Sequence, residues 1–138
     1  DTDKDEDQNK AKESGALTIM LSKDNHVYYY EGQLKEDGSN FLSTNFAGIR
    51  KIILDKKKAV IDAHQHDAGC GKIWAKNEGD KKSCLDKDLV VVIKPDEQAT
   101  YKNTVDILDE MAISNIKRYA MVDLFDAEKT LIAATEGK

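Results

Sequence analysis

Between residues 88 and 123 the period of the hydrophobic positions changes twice. Leu89, Val90, Val91, Val92 and Ile93 form a β-branched run without polar alternation, the pattern of a strand central in a sheet or covered on both faces. Pro95 ends it. Tyr101, Thr104, Val105, Leu108, Met111 and Ala112 then recur at helical spacing, which predicts a helix burying these residues. Lys102, Asn103, Asp106, Asp109 and Glu110 fall on the opposite, polar side. Thr100 is placed to cap the start, and Ser114-Asn115 ends the helix with a residue that tolerates left-handed backbone. Residues 118–122 supply a second strand. Two strands joined by one helix pair in parallel, so residues 88–123 read as a βαβ unit.

Upstream, Leu17-Thr18-Ile19-Met20-Leu21 and His26-Val27-Tyr28-Tyr29-Tyr30 flank the polar turn Ser22-Lys23-Asp24-Asn25, the pattern of a hairpin. In the second strand Val27 and Tyr29 face one side, and Tyr28 and Tyr30 the other. One pair packs on the core; the other lies on an open face with its hydroxyls in water, or serves as a stacking platform for a sugar or peptide. His26, beside the turn, reads as exposed. A helix is expected from Ser43 or Thr44 to about His64, burying Phe46, Ile49, Ile52 and Ile53, with Leu42, Ala59, Val60 and Ala63 in phase. Residues 64–87 show no clear period and carry Gly69, Gly71 and Gly79. They read as an irregular insertion held by Cys70 and Cys84, with Ile73 and Trp74 as an apolar plug. Residues 126–136 fit a short helix or a final strand. The expected fold is α+β: one mixed sheet with two helices packed on one face, an N-terminal hairpin preceding the βαβ unit.

Charge narrows the function. Across 138 residues the net charge is −5, which argues against nucleic-acid binding, because phosphate neutralisation needs clustered Lys and Arg. The runs Lys56-Lys57-Lys58 and Lys81-Lys82 read as a solvated helix face and a loop. Residues 1–14 hold six acids against three lysines and almost nothing apolar, so residues 1–15 read as a disordered acidic linker before a domain spanning 16–138. No apolar run approaches the ~20 residues needed to span a bilayer. His64, His66, Cys70 and Cys84, with Asp62 and Asp67 nearby, offer the soft ligands that zinc takes, although the spacing is not that of a known finger. In an oxidising compartment the two cysteines instead form a disulfide closing a 15-residue ring. No Gly-rich phosphate loop, nucleophile elbow or Cys-x-x-Cys motif occurs, which disfavours an enzyme.

The order of elements over residues 88–123 resembles the periplasmic domain of the ExbD/TolR family. There a strand rich in Val and Ile runs into a polar turn with an Asp, a Tyr opens a helix carrying a V-x-x-L/M-D pattern, and a short strand closes the unit. Asp96, Tyr101 and the segment from Val105 to Asp109 stand at those places. The likeness is looser over residues 17–30, extends in outline to the first helix, and breaks at residues 63–87, where the family connection is short. The cysteines are therefore unexplained by it.

The resemblance implies a single-pass inner-membrane protein whose N-terminal transmembrane helix, missing from this sequence, carries the proton-responsive Asp. Residues 1–15 would tether the domain to it. It further implies an ExbB- or TolQ-type membrane partner, a homodimer, no cofactor, and binding rather than catalysis. In the ExbD branch the domain engages the periplasmic region of TonB to support transport across the outer membrane; in the TolR branch it engages peptidoglycan. A periplasmic address favours the Cys70–Cys84 disulfide over a metal. Strand addition is the expected mode of binding, with Leu17, Thr18, Ile19, Met20 and Leu21 as the candidate edge, Tyr28 and Tyr30 beside it, and a homodimer through that edge as the rival use. A reading of another class is a small metal-binding or thiol enzyme built on the insertion.

Overall fold

The computed structural model of the chain describes residues 15–64 and 68–137; residues 1–14 of the acidic linker, His66 and Asp67 lie outside them, whereas Gly15 belongs to the folded part. The predicted hairpin forms: β1 (Ala16–Leu21) pairs antiparallel with β2 (Val27–Glu31), Ile19 opposite Tyr29. Its turn needs left-handed backbone at Asp24 (φ 56°) and Asn25 (φ 62°), residue types that adopt it readily. A short strand β3 (Leu42–Thr44) adds antiparallel to β2. Helix α1 (Ile49–Ala63) and a second helix α2 (Ala68–Lys76) precede β4 (Val90–Pro95), which pairs in parallel with β1. Gly15 makes that approach possible, since a Cβ there would lie 2.0 Å from the Asp88 carbonyl oxygen. Then follow α3 (Tyr101–Ile113), β5 (Tyr119–Met121), parallel to β4, and α4 (Asp126–Thr135).

The result is an α+β domain with one mixed five-stranded sheet, ordered β3-β2-β1-β4-β5, and the βαβ unit stands where the pattern places it. Helices α1 and α3 cover one face. Ile49, Ile53, Ile107 and Met111 pack there on Leu17, Ile19, Leu21, Val27, Val91 and Ile93. Arg50 joins the two helices through two hydrogen bonds to the Glu110 carboxylate (2.9 and 3.0 Å), and Lys57 Nζ donates to the carbonyls of Ser114 and Asn115 just beyond α3.

Several expectations are corrected. The strand β1 is not an edge: Leu17–Leu21 lies between β2 and β4, with both rows of backbone groups paired and every one of these side chains buried. Helix α1 begins at Ile49 rather than at Ser43 or Thr44, because residues 42–44 extend the sheet and leave Leu42 exposed. Residues 64–87 are less irregular than expected, since they contain α2 and a 3-10 turn (Lys81–Cys84). Lys56 is buried against Glu31 (3.2 Å), so Lys56-Lys57-Lys58 is not simply a solvated face. Residues 126–135 are helical and cover the second face of the sheet, where Ile132 packs with Met20, Tyr28 and Tyr30.

Helix α3 is capped as predicted. Thr100 Oγ1 accepts from the Asn103 N–H, and Asn103 Oδ1 accepts from the Thr100 N–H, both at 3.1 Å; Asn115 ends the helix at φ 54°. Its phase, however, is rotated by about one residue, roughly 100°. Asn103, Ile107 and Met111 form the buried row, while Tyr101 is 85% exposed and Val105 and Ala112 face outward. Two apolar stripes compete on this helix. The one holding polar Asn103 wins because that amide is satisfied inside, by Thr100 and by donating to Asn25 Oδ1 at 2.8 Å. Ile107→Ala should therefore cost about 2–5 kcal/mol by denaturant unfolding and exceed the cost of Leu108→Ala at its half-buried neighbour. The reverse ranking would refute the observed phase.

Candidate functional site

Tyr28 and Tyr30 lie under α4 and are no open platform. Their exposures are 2% and 5%, Tyr28 stacks on Phe41, and both hydroxyls donate to carboxylates, Tyr28 to Glu136 (3.0 Å) and Tyr30 to Glu128 (2.6 Å). Burial first, then these hydrogen bonds, pushes each phenol up to about 12. Glu128 is the hub. Its carboxylate accepts two bonds from Lys94 Nζ (2.9 Å each) and one from the Phe125 N–H (2.6 Å), while the Phe125 ring covers the ammonium at 3.7 Å. Lys94 and Glu128 are 3% and 0% exposed. Burying both charges is tolerable only because each is paired and hydrogen-bonded. One sequence signal could have revealed this network: a lysine inside a β-branched strand needs a buried partner.

The real edges are β3 and β5. Edge β3 is three residues long with one apolar side chain, whereas β5 presents Tyr119, Met121 and, just beyond it, Val122, each 44–47% exposed. Arg118 and Val122 direct their main chain to β4, through Val91 N–H to Arg118 O (3.1 Å) and Val122 N–H to Ile93 O (3.0 Å). By the alternation of a parallel ladder, Ala120 does the same, and the N–H and C=O groups of Tyr119 and Met121 point outward. Among the described residues no strand pairs with them. Ile113 nearby in sequence is 59% exposed.

The residues carrying the family resemblance separate into two kinds. Asp96 shapes the turn after β4: its N–H donates to Leu21 O (2.7 Å) and its side chain accepts from the Gln98 N–H (3.0 Å). It also lines, with Pro95, Glu97, Asp123, Leu124 and Lys129, an open cavity of about 580 Å³ at the C-terminal ends of β4 and β5. Tyr101 and Asp109 lie on the exposed side of α3.

Cys70 and Cys84 form a disulfide, both buried. It fastens α2 to the 3-10 turn before β4, as the insertion requires. His64, the first residue after α1, lies on it: Nε2 is 3.6 Å from Cys70 Sγ and 3.3 Å from Cys84 Sγ. A cavity of about 210 Å³ lined by Lys56, Ala63, His64 and Asp88 opens beside the ring. Ile73 and Trp74 are half-buried. No helix among the described residues is long and apolar enough to cross a membrane.

No family model, curated protein or solved structure matches the chain.

Two outcomes follow from the buried network. Lys94→Met, which strands the Glu128 carboxylate, should cost about 3–5 kcal/mol in denaturant unfolding. Lys102→Ala, which breaks an exposed pair with Asp106, should cost under about 1 kcal/mol. Second, the tyrosines deprotonate near 10 when unfolded and at about 12 when folded, so above the lower value the unfolded chain binds fewer protons. Stability is then intact below pH 10 and falls as pH rises toward 12. Tyr28→Phe with Tyr30→Phe should flatten that fall in denaturant midpoints taken across the window; an unchanged slope would refute the assignment.

Proposed function

We propose that the chain is the periplasmic adaptor domain of an ExbD-type subunit, working in a proton-motive-force-driven inner-membrane complex and binding the periplasmic region of TonB. The observation that carries this reading is the position of Tyr101 and Asp109. Both belong to the pattern that resembles the ExbD/TolR family, and neither is buried in the core of this domain. Asp96, by contrast, closes the turn after β4. Tyr101 is 85% exposed at the start of α3, where its ring is accessible to a partner.

The mode of binding is strand addition, moved from β1 to β5. An extended segment laid along Tyr119–Met121 continues the sheet, its main chain meeting outward N–H and C=O groups and its side chains the exposed Tyr119 and Met121. A second copy of the chain competes for the same edge, which is how a homodimer would form. The membrane partner, of ExbB type, would be reached through a helix outside this sequence.

The test is an NMR titration of the isotope-labelled chain with a TonB-derived periplasmic peptide and, separately, with peptidoglycan fragments. Amide shifts at residues 119–122 with the peptide are expected. Met121→Pro removes an outward N–H while leaving the β4 ladder intact, and should weaken the peptide about tenfold, the weight of one main-chain hydrogen bond. Shifts with glycan alone would reverse the choice in favour of a TolR-like peptidoglycan-binding module, and silence with both would refute binding by this domain.

A further inference from the structure

Among the described residues, His64, Cys70 and Cys84 form the one group in which three metal-ligating side chains converge, their ligand atoms all within 4.8 Å of one another. The geometry points to a second state of this cluster: with the disulfide reduced, we propose that His64 Nε2, Cys70 Sγ and Cys84 Sγ bind one Zn²⁺. The inference does not rest on the adaptor reading.

Distances carry it. Zinc bonds to sulfur at about 2.3 Å and to imidazole nitrogen at about 2.0 Å, so a tetrahedral angle sets the sulfur-to-nitrogen separation near 3.6 Å and the sulfur-to-sulfur separation near 3.8 Å. The imidazole nitrogen already lies 3.6 and 3.3 Å from the two sulfurs. Only the sulfurs must part, by a small rotation of two side chains at the ends of one ring. Helix α1 fixes the third ligand independently of that ring, because the His64 N–H closes the helix end on Ile61 O at 3.2 Å. Both cysteines are buried, and thiolate and imidazole are soft ligands that suit zinc. Three protein ligands leave the fourth position to water, as in open zinc sites.

The redox step balances with a dithiol reductant. One of its thiolates attacks a sulfur of the bridge, the Cys70–Cys84 bond breaks, and a mixed disulfide forms. The reductant's second thiol displaces it and leaves as an intramolecular disulfide. Two electrons and two protons end on Cys70 and Cys84, and Zn²⁺ then replaces the two thiol protons.

Cobalt is the probe, since tetrahedral Co²⁺ bound by thiolate absorbs in the visible. The full chain, reduced with a phosphine and kept anaerobic, should take up one Co²⁺ with a sulfur-to-cobalt charge-transfer band, lost on adding one equivalent of Zn²⁺. The oxidised chain should show no such band. Cys70→Ser and Cys84→Ser should each abolish the two-thiolate spectrum. His64→Ala, or His64→Gln should the alanine variant unfold by circular dichroism, should weaken zinc by more than the roughly 10–100-fold that loss of a mere supporting partner costs. A reduced chain without stoichiometric cobalt, or unchanged affinity without His64, would overturn the site.

Discussion

The fold turns on the ion pair between Lys94 and Glu128. A buried lysine near the end of a parallel ladder is costly unless a carboxylate meets it out of water, and α4 supplies one with every oxygen engaged. That pairing decides which side of the sheet α4 covers. It also draws the Tyr30 hydroxyl and the Phe125 ring into the same network, so the second face becomes core. Without α4, whose Ile132 packs on Met20, Tyr28 and Tyr30, this side of the sheet would be open.

Covering both faces changes what the molecule can offer a partner. A two-layer sheet binds through its open face; this sheet has none available over β1 and β2. What remains are edges and helix backs. Edge β3 offers one apolar side chain, while β5, also three residues long, carries an outward main chain beside several and a cavity lined by Asp96 and Asp123. Among the described residues, the exposed main chain and apolar side chains that the proposed strand addition would use lie on the β5 side.

Local chemistry explains what could be read in advance. The hairpin, the βαβ unit, the Thr100 cap and the Asn115 terminus depend on neighbours within a few residues, and each formed where its residues imply. What escaped depended on distant partners. Strand order is such a case: β1 is first in the chain yet central, because β4 returns to pair with it across more than sixty residues of intervening structure. The phase of α3 is another, set by an amide bonded to the hairpin turn. Lys56 and Lys57 read as solvated from their neighbours alone, yet Glu31 and the end of α3 claim them. The cysteines were legible as a pair, but His64 was legible only as one of two histidines in a loose set of ligands.

The cysteine ring fits the same logic of distant closure. The connection from α1 to β4 is long, and its closure costs entropy that the ordinary short crossover avoids. A disulfide closing a 15-residue ring offsets about 3 kcal/mol of that in the chain-entropy model. A metal held by the same two sulfurs closes the same ring, and adds His64, so that it ties the ring to the end of α1 as well. Oxidation and metal binding are then alternative ways of fastening one insertion, differing in which element they hold. The disulfide fixes α2 to the turn before β4; a metal would fix α1 to both.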